Sequence, residues 1–256
     1  MRTLTVALTI CVMAVAFTAN AALVCHYALD ESSSSAGVVD STGNYADGVN
    51  NGATAGVAGV VGTAYSFDSS VPNNVALEHF EVPDQVTISF WVDPAGTDTN
   101  CGTPISWGAS NTWNYLGIRT ISAASVDRIP GSPRTLNGTV DLRAINGFSH
   151  VACTYDVATG AAGVYINGVL DVAGTVTTDA LTTSVLRLGG AIRLDDSPYD
   201  GLLDDVQIYD EVLTADQIAS LHANPGSTAE VPEPSTLVML AAGLFGLLCY
   251  AWRKRK

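Results

Sequence analysis

The chain has 256 residues, of which 47% are hydrophobic and 14% charged, with 24 glycines and 10 prolines. That length suits one sizeable domain or two small ones, the apolar content argues against disorder, and so much glycine and proline excludes an all-helical bundle. Eleven basic residues against 25 acidic ones, net −14, speak against nucleic-acid phosphate as a partner.

The first 21 residues read as a secretory signal. Arg2 supplies the one charge, Leu4 to Phe17 is apolar, and Ala19-Asn20-Ala21 has the small-x-small form of a cleavage site, so the mature chain is expected to start at Ala22. An uncleaved anchor is the alternative, but the apolar run is short for a span of ~20 residues.

From Leu23 to Asp210 short segments alternate with period two between Gly, Asn, Asp and Pro clusters. Strands are predicted at Val24–Leu29, Ala64–Phe67, Asn74–Leu77, Val86–Val92, Trp113–Arg119, Thr139–Arg143, His150–Tyr155, Gly163–Ile166, Val185–Leu188 and Leu203–Tyr209. About ten such strands make an antiparallel sandwich or barrel. Ala53–Gly62 lacks a period and reads as a loop entering a strand; Ile121–Asn137 matches no pattern, as a binding loop or an insertion would. Asn167-Gly168 between alternating residues predicts a two-residue hairpin, since both tolerate positive φ. Thr214-Ala215-Asp216-Gln217 is a capping box with Leu213 and Ile218 as a hydrophobic staple, so a short helix should run to about His222. Asn224-Pro225-Gly226 ends it and opens a linker over residues 224–231.

The end of the chain carries the most specific signal. Pro232-Glu233-Pro234 precedes an apolar stretch from Leu237 to Trp252, and Arg253-Lys254-Arg255-Lys256 follows. The prolines stop a helix from running backward, and four positive charges hold the far end in the cytoplasm. In this order the segment 232–256 resembles the bacterial PEP-CTERM sorting signal. The resemblance implies transient anchoring in the inner membrane by a C-terminal helix. A membrane protease of the exosortase type then cuts near Pro-Glu-Pro and releases the protein to the outer envelope or extracellular matrix. A plain single-pass anchor is the alternative.

Between these ends, residues 22–231 hold six arginines, no lysine and 24 acidic residues, net −18. Such a surface repels anionic polymers, so neutral glycans or calcium-linked ligands fit it better. Cys25, Cys101 and Cys153 allow one disulfide of undetermined pairing, and no spacing suggests zinc.

Leu29-Asp30-Glu31, Asp40-Ser41-Thr42-Gly43-Asn44-Tyr45-Ala46-Asp47-Gly48, Tyr65-Ser66-Phe67-Asp68 and Thr87-Ile88-Ser89-Phe90-Trp91-Val92 together resemble the opening half of laminin-G-like domains. His150-Val151-Ala152-Cys153-Thr154-Tyr155-Asp156, Tyr165-Ile166-Asn167-Gly168, Leu188-Gly189-Gly190 and Gly201 to Asp210 resemble the closing half. The resemblance covers residues 23–223, with Phe148 where the family often has tryptophan. It implies an all-β, concanavalin A-like jelly roll of two antiparallel sheets across the domain 22–223.

Catalytic chemistry is poorly represented. The E-x-D-x-x-E strand that places two carboxylates for retaining glycoside hydrolysis is missing, there is no G-x-S-x-G elbow, and His26, His79, His150 and His222 are scattered. The resemblance makes Asp40, Asn44 and Asp204 candidate ligands of a structural calcium ion, with Asp204 aimed inward by alternation with Val206 and Ile208; Asx turns explain Asp40 and Asn44 without an ion. For sugar stacking, Trp107, Trp113 and Tyr115 flank an Asn/Ser/Gly-rich stretch, against the alternative that they pack inside the sandwich. The expectation is a non-catalytic adhesion module for an extracellular glycan or protein. A divergent glycosidase or lyase, or a matrix protein without a specific ligand, are the alternatives.

Overall fold

The computed structural model describes residues 23–71, 73–78, 82–95, 102–108, 115–119, 123–129, 133–178, 185–190 and 198–229. All lie in the unit Ala21–Glu230. The expected signal peptide, sorting segment, Trp113 and Cys101 fall outside the described residues, among which no helix is long and apolar enough to cross a membrane.

The described strands are β1 (Leu23–Tyr27), β2 (Val49–Asn51), β3 (Thr54–Ala58), β4 (Thr63–Phe67), β5 (Asn74–Glu78), β6 (Gln85–Pro94), β7 (Ile105–Gly108), β8 (Tyr115–Arg119), β9 (Ala123–Ile129), β10 (Thr135–Asp141), β11 (Ser149–Asp156), β12 (Ala161–Ile166), β13 (Val169–Thr175), β14 (Val185–Leu188) and β15 (Gly201–Tyr209). One helix, α1 (Ala215–Ala223), follows. Sheet I runs β13-β12-β11-β6-β15-β4-β3 with β1 beside β15, and sheet II runs β10-β9-β8-β7-β14-β5-β2. Every pairing is antiparallel, so the jelly-roll sandwich is as expected.

Alternation explains the core. In β6, Val86, Ile88, Phe90 and Val92 point between the sheets while Thr87, Ser89 and Trp91 point out; in β11 the inward set is Val151, Cys153 and Tyr155. Sheet II contributes Trp107, Leu116, Ile118, Val126, Leu186 and Leu188 to the same core. Asn167 (φ 50) and Gly168 (φ 78) make the expected hairpin turn between β12 and β13. Thr214 and Gln217 form the reciprocal capping box of α1, with Leu213 and Ile218 buried beneath it.

Three readings change. Thr54–Ala58 is a strand, held to β4 despite its missing hydrophobic period because an edge strand needs one ladder and no buried face. The unmatched Ile121–Asn137 segment supplies β9 and most of β10, with Ala124 and Val126 buried on either side of Ser125. The strand expected at Thr139–Arg143 starts earlier and ends in a 3-10 turn over Leu142–Ala144, capped by Asp141.

The register also constrains the cysteines. Cys25 lies opposite Ile208, Ile208 opposite Ile88, and Ile88 opposite Cys153. Three strand spacings separate the two thiols by roughly 14 Å, twice the reach of a disulfide. Both are buried and free.

Gly189 shows where the backbone dictates the residue. It sits at φ +81, a Cβ there would overlap the Phe67 ring, and its N–H and C=O bond Pro104 and Tyr199. Gly189→Ala should cost about 3 kcal/mol or more in urea denaturation, strain and overlap adding. Gly147→Ala, at φ +86 with nothing within 4 Å, should cost only about 1 kcal/mol.

Candidate functional site

The outer face of sheet I is built around a break in β15. Leu203, Val206 and Ile208 all reach the core, which strict alternation forbids; Asp205 at φ 48 and a register shift between Asp204 and Gln207 supply the extra residue. Asp204 therefore lies opposite Trp91 on the outer face. This corrects the inward orientation expected from counting back from Val206. Before the bulge β15 pairs with β4, and after it with β1, so the two aspartates sit where the strand changes neighbours.

Each aspartate takes a different set of donors. Val60 and Val61 N–H groups, in the β3–β4 turn, donate to Asp204 Oδ2 at 2.6 and 3.0 Å, while Oδ1 is buried without a partner. Asp205 accepts His26 Nε2 at 2.7 Å, Gln207 Nε2 at 3.0 Å and the Gly226 N–H at 3.1 Å. Burial, with Asp205 adjacent, pushes Asp204 up to about 6, whereas the hydrogen bonds of Asp205 outweigh its burial and hold it below the usual carboxylate range. Such a split resembles a general acid beside an ionised partner. Yet Asp204 is 0% and Asp205 5% exposed, covered by the β3–β4 turn and the segment after α1, so this pair offers no face to a substrate.

Gln207 also donates to the Ser227 carbonyl at 2.9 Å, and Tyr209 Oη accepts the Ala229 N–H at 2.9 Å. The segment expected as a free linker is thus a strap lying on the sheet up to Ala229. Nearby, Trp91 contacts the rings of His150 and His222 at 5.1 and 5.6 Å, and His150 Nε2 shares a 2.8 Å hydrogen bond with Ser89. Sequence reasoning missed Asp205, His26, Gln207 and Tyr209. The signal was present: apolar residues at 203, 206 and 208 cannot share a face unless a residue bulges.

The residues expected to stack on sugar separate. Trp107 is fully buried among the core side chains, so its faces are occupied by packing and it is withdrawn as a platform. Tyr115 opens β8, opposite Gly108 of β7 and Ile129 of β9. Next to that row, Arg187, Ser106, Gly117 and Asp127 pair across β14, β7, β8 and β9, a stretch of low relief at its centre. An open cleft of about 420 Å³ lies elsewhere, lined by Pro83, Asp84, Gln85, Asp156, Ala158 and Asp210.

The expected calcium ligands do not fit one ion. Both oxygens of Asp40 are taken, Oδ1 by the N–H groups of His26 and Thr42, and Oδ2 by those of Asn44 and Tyr45, with the Thr42 hydroxyl reaching both. Asn44 turns its amide to the Val24 carbonyl, and Asp204 is committed to the β3–β4 turn. Among the described residues no group of three or more His, Cys, Asp or Glu side chains could hold a metal. Chelation with EDTA should leave the melting temperature unchanged; a drop of several degrees would reveal an ion.

Acid stability follows from two opposed titrations. Burial, then the neighbouring His222, lowers His150 to about 4, so its neutral form stabilises the fold above the ordinary 6.5 and that contribution is lost as pH falls toward 4. Asp204, raised to about 6, contributes in acid and loses that contribution as pH rises from 3.8 to 6. Each amounts to at most about 3 kcal/mol, and they nearly cancel between pH 4 and 6. Asp204→Asn should make stability fall with acid across this window, and His150→Phe should make it rise, both read by guanidinium denaturation at several pH values.

Comparison with known proteins places this architecture. The structure of domain 4 of AbnA, an extracellular GH43 arabinanase from Geobacillus stearothermophilus, determined in complex with arabinotriose, is 27% identical. It covers 80% of this chain and 100% of its own, at TM-score 0.61. The binding domains of botulinum neurotoxin serotypes D/C and G are 16% and 18% identical and cover 78% and 80% of this chain, at TM-scores 0.59 and 0.55. The chain spans about half of those two, 51% of each, and they share the fold alone. No curated protein matches. Residues 230–256 match the PEP-CTERM protein-sorting motif, which implies export and surface sorting through recognition by an exosortase. Residues 68–219 match a laminin G profile, so the chain belongs to the concanavalin A-like lectin/glucanase superfamily.

Proposed function

We propose that the protein is an exported, non-catalytic glycan-binding module, delivered to the envelope or matrix by its sorting motif and selective for neutral oligosaccharides. The observation that carries this reading is the likeness over its whole length to an arabinanase domain solved with arabinotriose. The net charge of −18 over residues 22–231 supports it, since an uncharged saccharide meets no repulsion where a uronic or sulfated polymer would. The signal peptide 1–21 and the transient C-terminal anchor belong to the same reading. Binding is assigned to the β7–β8 region of sheet II, where Trp113 and Tyr115 supply aromatic faces beside the low-relief row of Ser106, Gly108 and Gly117.

Calorimetry of residues 21–230 against arabinotriose and a panel of neutral and acidic oligosaccharides tests it. Binding to neutral members without new reducing ends is expected. Trp113→Ala and Tyr115→Ala should each weaken it about tenfold, and Gln85→Ala in the acidic cleft should not. Release of reducing ends would instead identify a glycosidase, and silence across the panel would leave a protein ligand or a purely structural role.

A further inference from the structure

We propose that the docked strap decides where the sorting protease cuts: residues 224–229 are withheld, scission falls at or beyond Glu230, and Asp205, Gln207 and Tyr209 are positioning residues for that step. This rests on the sorting motif matched over 230–256 and adds what the folded domain contributes. A protease binds its substrate as an extended chain with free backbone groups. In the strap, the Gly226 N–H, the Ser227 carbonyl and the Ala229 N–H are all engaged by sheet I side chains, and Ala229 is 8% exposed. The receiving groups are fixed in turn. Asp205 also holds His26, Tyr209 donates to Gln207, and Gln207 and Tyr209 are 2% and 1% exposed.

Beyond Ala229, residues 230–236 reach at most about 25 Å before the apolar stretch begins at Leu237. The accessible substrate is therefore this leash, which contains Pro232-Glu233-Pro234. Hydrolysis there breaks one peptide C–N bond, the carbonyl carbon taking the hydroxyl of a water and the released amine its proton. A cut before Gly226 would also strip Asp205, Gln207 and Tyr209 of partners while they remain buried, which the fold resists.

Two arms test this on the full chain. In detergent micelles, proteinase K should leave a core ending between Glu230 and Thr236 by intact mass, and in a host with an exosortase the mature protein should end in the same interval. Each strap bond removed raises the open population about fivefold, so Gln207→Ala/Tyr209→Phe should add ends between Asn224 and Ala229 at least tenfold faster than wild type. Thr139→Ala removes a hydroxyl bond to Asp171 away from the strap and should keep the wild-type ends at a comparable loss of melting temperature. A wild-type end before Ala229, ragged ends in Thr139→Ala, or a double variant identical to wild type would overturn the proposal. An uncut chain in the host would overturn processing itself, while the micelle arm still decides whether the strap protects.

Discussion

One extra residue in β15 organises the outer half of the molecule. Without the bulge at Asp205, keeping Leu203 in the core would turn Val206 and Ile208 to solvent, because a one-residue slip moves a whole strand to the other face. With it, all three remain inside and two adjacent carboxylates emerge on the outside. Asp204 then fastens the β3–β4 turn, and Asp205 fastens β1 through His26 and the C-terminal strap through Gly226. The bulge also marks the place where β15 exchanges β4 for β1 as its neighbour. A register fault there would cost the core and three tertiary ties together, so the polar residues specify the pairing that the apolar ones stabilise.

That arrangement separates structural acidity from surface acidity. Asp40, Asp204 and Asp205 are buried and answered by backbone N–H groups, which supply positive dipoles without needing lysine or arginine. Most of the negative charge is left facing solvent. A surface of this kind is a poor partner for charged matrix polymers and an indifferent one for uncharged sugars, so its specificity must come from local aromatic and hydrogen-bonding contacts.

The sequence disclosed the architecture better than its fastenings. Strong alternation in β6, β11 and β12, the Asn167-Gly168 turn and the Thr214–Gln217 capping box are local statements, and each folds as read. Edge strands such as β3 and short ones such as β7 carry too few alternating positions to stand out from loops. Asp204 was misplaced because alternation was extended through a bulge. Trp107 was misjudged because a polar flank, Ser106 and Gly108, says nothing about which face the next sheet covers. The strap was illegible for a different reason: Gly226, Ser227 and Ala229 contribute backbone groups, and their partners lie about 20 residues upstream in β15.

An exported domain without a described disulfide must draw its cohesion from elsewhere, and the register shows why a Cys25–Cys153 crosslink was never available to it. The thiols occupy one row across β1, β15, β6 and β11, filling space as small hydrophobes between Ile208 and Ile88. Cohesion comes instead from long ladders closed at their margins by side chains: Asp171 of β13 takes the Thr139 and Val140 N–H groups of β10, joining the two sheets at one edge, and Asp204 and Asp205 fasten sheet I at its middle. Carboxylates used this way lose their acceptor strength when protonated and regain it on neutralisation, whereas a crosslink does not respond to pH. The same chemistry that frees the fold from its oxidising surroundings therefore ties it to their acidity, and the opposed titrations of His150 and Asp204 hold that dependence small near the bulge.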